Sequence, residues 1–501
     1  MAIYEPDWRS LVNHNTPQWL RDDKFGIYTH WGVYSVPACG PNGTWYAYNM
    51  YRPGNNQAEY HEQTYGPASE FGYKDLIPLF TGEKFDPDEW VELFKLSGAR
   101  FAGPVAEHHD GFSMWESQVN PFNAARMGPK RDVTGELARA CREQGLRFMV
   151  ALHHAEQWWF YPHWRGDCDV SDPKYTSLYG PLHNLGGFGP ESEGKHDWPL
   201  QDLPNRAFLD IWRQKIDEVI NGYEPDLIWF DFGIRFIPET YRKRFLAEYY
   251  NKEAEWGREL AVTYKGHDFP PGTAIPDYEL GRMDQLTYYD WITDTSVDDG
   301  GAWSFVTDAG FKSVTTVVHN LIDNVSKNGY LLLNVGPRAD GTIPAGARKC
   351  LQGVGDWLRI NGEAIFETSP WVYYGEGPTE MDAGGMFSEQ DEVAYTAEDI
   401  RFTCRDNVLY AIFLGWPVGE ARIRFARGEG AGNLRPIYPD EIASVRMLGL
   451  DCELSWSMTN KGLAIEMPDK QPSAHAVVFR ITRKAPFQVS PHRSHESSNV
   501  P

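Results

Sequence analysis

The residues of this chain that could do chemistry gather at the ends of short apolar runs. Leu227 to Phe232, bounded by Pro225 and Gly233, is too short for a helix and has no polar face. It reads as a strand buried on both sides. A carboxylate at the end of such a run is costly to bury unless a site uses it. Alone, Asp231 reads as a turn cap; its company changes that. Phe25 to Thr29 runs into His30 and Trp31, Arg100 to Glu107 into His108-His109-Asp110, Leu146 to Leu152 into His153-His154, and a run at 259–264 into Lys265. The loop beyond Lys265 carries Asp277, Glu279 and Asp284. One carboxylate with a second acid near it is what glycoside hydrolysis needs. One group is ionised and the other protonated, and where configuration is retained they stand about 5–5.5 Å apart. Any of the three loop acids could fill the second place, and a solvated charge is the ordinary fate of at least two of them.

The histidine pairs also invite a metal reading. Neighbours in a strand point to opposite faces, so two ligands on one face need the spacing His-x-His. Neither His108-His109 nor His153-His154 has it, and no Glu-x-x-His helix or cysteine cluster supplies other ligands. Hydrogen bonding to a polyhydroxylated ligand is the better use, with structural bonding at a rim the competing use for His153. Phosphate loops, dinucleotide fingerprints and Gly-x-Ser-x-Gly are missing from the sequence, which removes the nucleotide and serine-elbow chemistries.

The elements that must hold these residues alternate along the chain. Asp86-Pro87 opens a helix with apolar Trp90, Val91, Phe94 and Leu96. Thr134 is a candidate cap for a second helix ending at Gly145, and further helices are predicted near 207–221, 240–256, 311–328 and 344–360. Strand and helix in turn, with polar groups at strand C-termini, predict a parallel (β/α)8-like (TIM-type) barrel over residues 1–368, with a missing or irregular helix. Two long loops, 36–82 with Trp45 and 162–205, interrupt it, and loops of that length are usually functional or disordered. From 369 to 484 short alternating runs split by Gly, Pro and Asn predict a C-terminal antiparallel β-sandwich. Residues 485–501 read as a disordered tail.

Composition narrows the partner. The 501 residues include 19 Trp, 26 Tyr and 26 Phe, whose flat faces suit sugar C–H surfaces as well as a core. The net charge of −23 repels polyanions, which excludes nucleic acid and an anionic membrane surface as main partners. Six scattered cysteines (Cys39, Cys141, Cys168, Cys350, Cys404 and Cys452) read as free thiols. Residues 1–25 lack a signal-like apolar core and no run reaches membrane-spanning length, so the chain as written reads as cytoplasmic, or as extracellular or periplasmic if a signal has been removed.

Four motifs carry a resemblance over nearly the whole chain, from about Pro17 to Arg480. They are Phe25-Gly26-Ile27-Tyr28-Thr29-His30-Trp31-Gly32, Glu107-His108-His109-Asp110-Gly111-Phe112, Leu227-Ile228-Trp229-Phe230-Asp231, and the long run from Ser326-Lys327-Asn328-Gly329 through Asn334-Val335-Gly336-Pro337 to Gly341. With these the chain resembles the retaining α-L-fucosidase family of glycoside hydrolases (glycoside hydrolase family 29). The resemblance implies that Asp231 is the nucleophile, and that His30, His108 and His109 hydrogen-bond the fucose hydroxyls. Trp45 and Trp229 would line the pocket, with His154 and Trp158 on the loop that completes it. It also implies no metal and no organic cofactor. Glu279, in Asp277-Tyr278-Glu279-Leu280-Gly281-Arg282, is similar to the acid/base of one group of members, and Trp303 and Phe305 to the aromatic pair closing the pocket there. Two positions depart from the family: Thr44 stands where Glu often precedes the Trp-Tyr of the first loop, and Lys265 where many members carry Arg. The implied activity is exo-hydrolysis of terminal α-L-fucose from a fucosylated oligosaccharide or glycoconjugate. The rivals are a catalytically silent carbohydrate-binding protein and a metal-dependent barrel hydrolase.

Overall fold

The computed structural model describes residues 3–182, 203–379, 384–389, 393–424 and 437–486. Eight parallel strands close into a barrel in chain order: β1 (Phe25–Thr29), β2 (Phe101–Glu107), β3 (Arg147–Leu152), β4 (Leu227–Phe230), β5 (Ala261–Lys265), β6 (Ile275–Asp277), β7 (Trp291–Ser296) and β8 (Gly329–Val335). β1 closes the ring by pairing with β8, Phe25 to Thr29 against Leu331 to Val335.

Each strand is buried on both faces, as its unbroken apolar run requires. Successive side chains alternate between the barrel interior and the helical layer. Tyr28, Met149, Ala151, Leu227, Trp229 and Leu332 share the interior cluster. Ile27, Phe148, Val150, Ile228, Phe230 and Leu331 pack outward.

The helices Pro87–Leu96, Val133–Gln144, Arg206–Tyr223, Glu239–Trp256, Val314–Ser326 and Ala345–Asn361 lie where the periodicity predicts them. Asp86 caps the first by accepting from the backbone N–H groups of Asp88 and Glu89. In the second the cap is Asp132, which accepts from Gly135 N, rather than Thr134, whose hydroxyl donates to Met114 O. The chain from 275 to 296, expected as loop, instead supplies β6 and β7. β6 is three residues long with a proline at its centre and β7 reads Trp-Ile-Thr-Asp-Thr-Ser, so neither shows an apolar run. Among the described residues no helix separates β5 from β6 or β6 from β7, which is the expected irregularity.

Beyond the barrel the chain is antiparallel. One sheet has the order β13-β16-β11-β10-β9 and the other β12-β15-β14. Here β9 is Ser369–Glu376, β10 Ile400–Arg405, β11 Val408–Phe413, β12 Glu420–Ile423, β13 Ile442–Met447, β14 Trp456–Thr459, β15 Gly462–Glu466 and β16 Val477–Arg483. Inner faces of both sheets meet in one core, with Phe402, Phe413 and Phe479 against Ile423, Leu463 and Ile465. Asp323 joins the two parts, taking hydrogen bonds from Lys327 Nζ at 2.8 Å and Arg401 Nε at 2.6 Å. Residues 183–202 of the second long loop and 487–501 of the tail lie outside the described residues. Among the described residues no helix is long and apolar enough to cross a membrane.

Candidate active site

The same alternation that builds the barrel aims the chemistry. Counting inward from Tyr28, Met149-Ala151, Leu227-Trp229, Ala261 and Ile292 places His30, His153, Asp231, Lys265 and Asp294 on the interior side at the strand C-termini. At β2 the register shifts between Val105 and Glu107. This irregularity sends Glu107 outward to a buried pair with Lys215 and re-aims the two histidines that follow.

Asp231 Oδ2 lies 2.9 Å from His153 Nδ1 and 3.2 Å from His109 Nε2. A carboxylate only accepts, so both rings present N–H to it. His109 Nδ1 is 2.8 Å from His153 O, another pure acceptor. His109 therefore donates from both nitrogens and is the imidazolium. Burial opposes its charge, but the Asp231 hydrogen bond and the nearby Glu156 carboxyl raise its pKa. Burial likewise opposes the charge on Asp231. The attraction of His153 and the bonds from His109 and His153 outweigh it and hold the carboxyl well below the usual carboxylate range.

The other rings are neutral. Burial lowers His153, against the pull of Asp231, and lowers His30 and His108 well below the usual value. His30 Nδ1 is 2.8 Å from Asn334 Oδ1, while Asn334 Nδ2 donates to Ser296 Oγ and Trp303 O. That network leaves His30 Nε2 as a bare acceptor. His153 Nε2 and His108 Nδ1 are buried without a hydrogen-bond partner. Ligand atoms of His30, His108 and His153 lie within 4.8 Å of one another. The barrel thus supplies from three strand ends a constellation that neither adjacent pair could form, suited to sugar hydroxyls or to a metal ion.

Across the cavity Lys265 is fully buried among acids. Its Nζ donates to Asp294 Oδ1 at 2.5 Å and lies 3.2 Å from Glu279 Oε2 and 3.7 Å from Asp277 Oδ2. It also sits 4.8 Å from the centre of the Trp229 ring. Burial pushes Glu279 up to about 7, with Asp294 and Asp231 adding to the effect and Lys265 opposing it. Among the three candidate acids, Asp277 is sealed in, its carboxylate taken by the Trp229 indole N–H. Asp284 is exposed on the surface. Only Glu279 both lines the cavity with Asp231 and keeps some access to it, its side chain being 16% exposed.

Thr44, Trp45 and Trp303 complete the lining. Trp303 is held close to β8 at Gly336, where a Cβ would stand 2.6–2.9 Å from the backbone of 303–305. Of the expected residues, His109 and Lys265 stand behind the lining, against the carboxyls of Asp231 and Glu279, and three more fall outside the cavity. His154 points outward, its Nε2 3.2 Å from Trp212 O, because alternation along β3 turns 153 inward and 154 away. Trp158 packs edge-on against Phe236, and Phe305 lies under the Arg338 guanidinium. Tyr28 and Asp294, bonded to each other at 2.8 Å, line it unforeseen. Glu156, whose carboxyl burial pushes up to about 8, stands 3.8 Å from His109 Nε2. For His153 the inward parity along β3 was available as a signal; for Asp294 it was not, because β7 reads as loop.

Comparison with known proteins bears on the whole chain. The sequence model described as alpha-L-fucosidase matches residues 1–363, and that described as alpha-L-fucosidase C-terminal domain matches 390–482. The human tissue alpha-L-fucosidase is 31% identical over 505 residues, covering 96% of this chain and 91% of its own. The human plasma alpha-L-fucosidase is 29% identical, covering 93% and 88%. The crystal structure of Thermotoga maritima alpha-fucosidase in complex with fucose is 30% identical with a TM-score of 0.72, covering 96% of this chain and all of its own.

Proposed function

The chain belongs to the alpha-L-fucosidase family of glycoside hydrolases, and from that premise we propose an exo-acting enzyme that removes terminal α-L-fucose from glycans with retention, through a covalent intermediate on Asp231. The observation that carries this reading is the contrast in surroundings of two carboxyls lining one cavity, Asp231 bonded by two imidazoles and Glu279 buried beside Lys265 and Asp294. Asp231 is held ionised by His153 and His109, and Glu279 is held up to about 7. Divergent environments for two acids are the signature of nucleophile and proton donor.

In the first step an Asp231 oxygen forms a bond to C1 as the glycosidic C–O bond breaks, and the Glu279 carboxyl gives its proton to the departing oxygen. The Glu279 carboxylate so formed faces Lys265 Nζ at 3.2 Å, which stabilises it. Glu279 then takes a proton from water, the water oxygen bonds to C1, and Asp231 leaves as the carboxylate. The bare nitrogens of His30, His108 and His153 accept from sugar hydroxyls, while the His109 imidazolium, both of whose N–H groups are already used, holds the Asp231 carboxylate in place. Trp45, Trp229 and Trp303 pack the C–H faces and the methyl group. The cavity between these side chains is narrow, about 40 Å³. The solved Thermotoga relative holds fucose, in keeping with a fucosylated substrate here. A silent carbohydrate-binding protein would have no use for an ionised and a protonated carboxyl side by side.

The test is to trap the enzyme with a 2-fluoro-fucosyl donor and map the labelled peptide by mass spectrometry. The expected label sits on Asp231; a label elsewhere, or none with turnover intact, overturns the double displacement.

A further inference from the structure

We propose that Phe387, from the C-terminal part of the chain, forms with Phe232 the platform that receives the leaving-group side of the substrate, a sugar ring presenting its C–H face. The inference rests on Glu279 as proton donor. A proton donor must lie within hydrogen-bond reach of the glycosidic oxygen, so the first residue of the aglycone must rest against whatever flanks Glu279.

What flanks it is a hook from beyond β9. Phe387 N donates to Glu279 O at 2.8 Å, Glu389 N to Leu280 O at 2.6 Å, and Gly385 N to Arg282 O at 2.7 Å. The hook is anchored from below. The Glu389 carboxylate takes Lys312 Nζ and Asn320 Nδ2 at 2.8 Å each and Thr295 Oγ1 at 2.5 Å. Against that anchorage Phe387 stays 61% exposed, with a φ of 56° that L residues rarely adopt. Its ring lies parallel to that of Phe232, 16° between planes and 6.4 Å between centres. Phe232 follows Asp231 in sequence and lies 5.7 Å from Lys265 Nζ, the cation beside Glu279. Neither phenylalanine lines the inner cavity. The two rings therefore stand just outside the fucose position, next to the acid. Exposed aromatic faces of this kind suit a pyranose, and neither ring brings a charge that would demand a charged aglycone.

The experiment compares kcat/KM for a fucosylated disaccharide with kcat/KM for methyl α-L-fucoside, which needs the same proton from the acid but has no ring on the leaving side. Phe387→Ala should lower that ratio by about three- to tenfold, the scale of one aromatic contact, and Phe387→Trp should hold it near the wild-type value. A ratio unmoved by Phe387→Ala, or two substrates falling in parallel because the hook only shapes the Glu279 loop, overturns the inference and leaves the fucosidase reading standing. A wild-type protein inert toward both fucosides overturns that reading and this inference together.

Discussion

At the residue scale the site is a contrast between two carboxyls, and the predictions there follow from charge. Glu279→Ala removes the proposed proton donor. Substrates with poor leaving groups should lose roughly 10²–10⁴-fold in turnover, while activated aryl fucosides lose far less; steady-state kinetics on a leaving-group series reads this, and an equal loss for both would send the role to another acid. The pH dependence follows with its sign. On the proposed mechanism Glu279 must be protonated to act, and its pKa is raised to about 7, so kcat/KM should fall as pH rises through about 7. Asp231 must be ionised, and its hydrogen bond from His153 favours the ionised form. His153→Phe removes that bond, raises the Asp231 pKa and should move the acid limb of the profile to higher pH; a pH–rate profile that keeps its acid limb would separate His153 from the nucleophile. Lys265 offers a compact ammonium where an Arg fork would occupy more of the wall, and here it meets three acids at once.

At the element scale, strand parity decides which polar residue at a rim enters the barrel. The runs ending in His30, His153, Asp231 and Lys265 were all legible as strands, and parity along β3 distinguishes His153 from His154. What hid β6 and β7 was composition: Pro276 and the Thr-Asp-Thr-Ser of β7 resemble loop, yet the closed barrel pairs them on both sides. Helix caps show the same limit. Thr134 has the right chemistry, but the chain geometry gives the capping role to Asp132, which also accepts from the Tyr223 hydroxyl at 2.8 Å. Asp132→Ala should therefore cost about 1–2 kcal/mol, measured by urea denaturation, with Thr134→Ser costing much less.

At the scale of the whole molecule, three strands bring His30, His108 and His153 together although no two of them are neighbours in sequence. Spacing within each pair argued against a metal, and the closed barrel supplies a three-nitrogen cluster all the same. The double-displacement reading routes no step through an ion, so exhaustive chelation should leave turnover unchanged, checked by assay and elemental analysis before and after dialysis against EDTA. Lost activity restored by one metal would assign the cluster a different role. The second part of the chain is tied into the site as well, through residues 384–389 on the acid loop and through the buried Asp323, Lys327 and Arg401 network.

The amino-acid order by itself determined the alternating strands and helices, the antiparallel second part and Asp231 at the close of a buried strand, because local periodicity and burial cost are properties of consecutive residues. Which acid lines the cavity with Asp231, which of His108 and His109 bonds to it, and what flanks Glu279 were decided only when the barrel closed. Those choices depend on the register of β6 between β5 and β7, an irregularity in β2 and a hook arriving from about a hundred residues downstream, and distances across a ring are not encoded in neighbours along a chain.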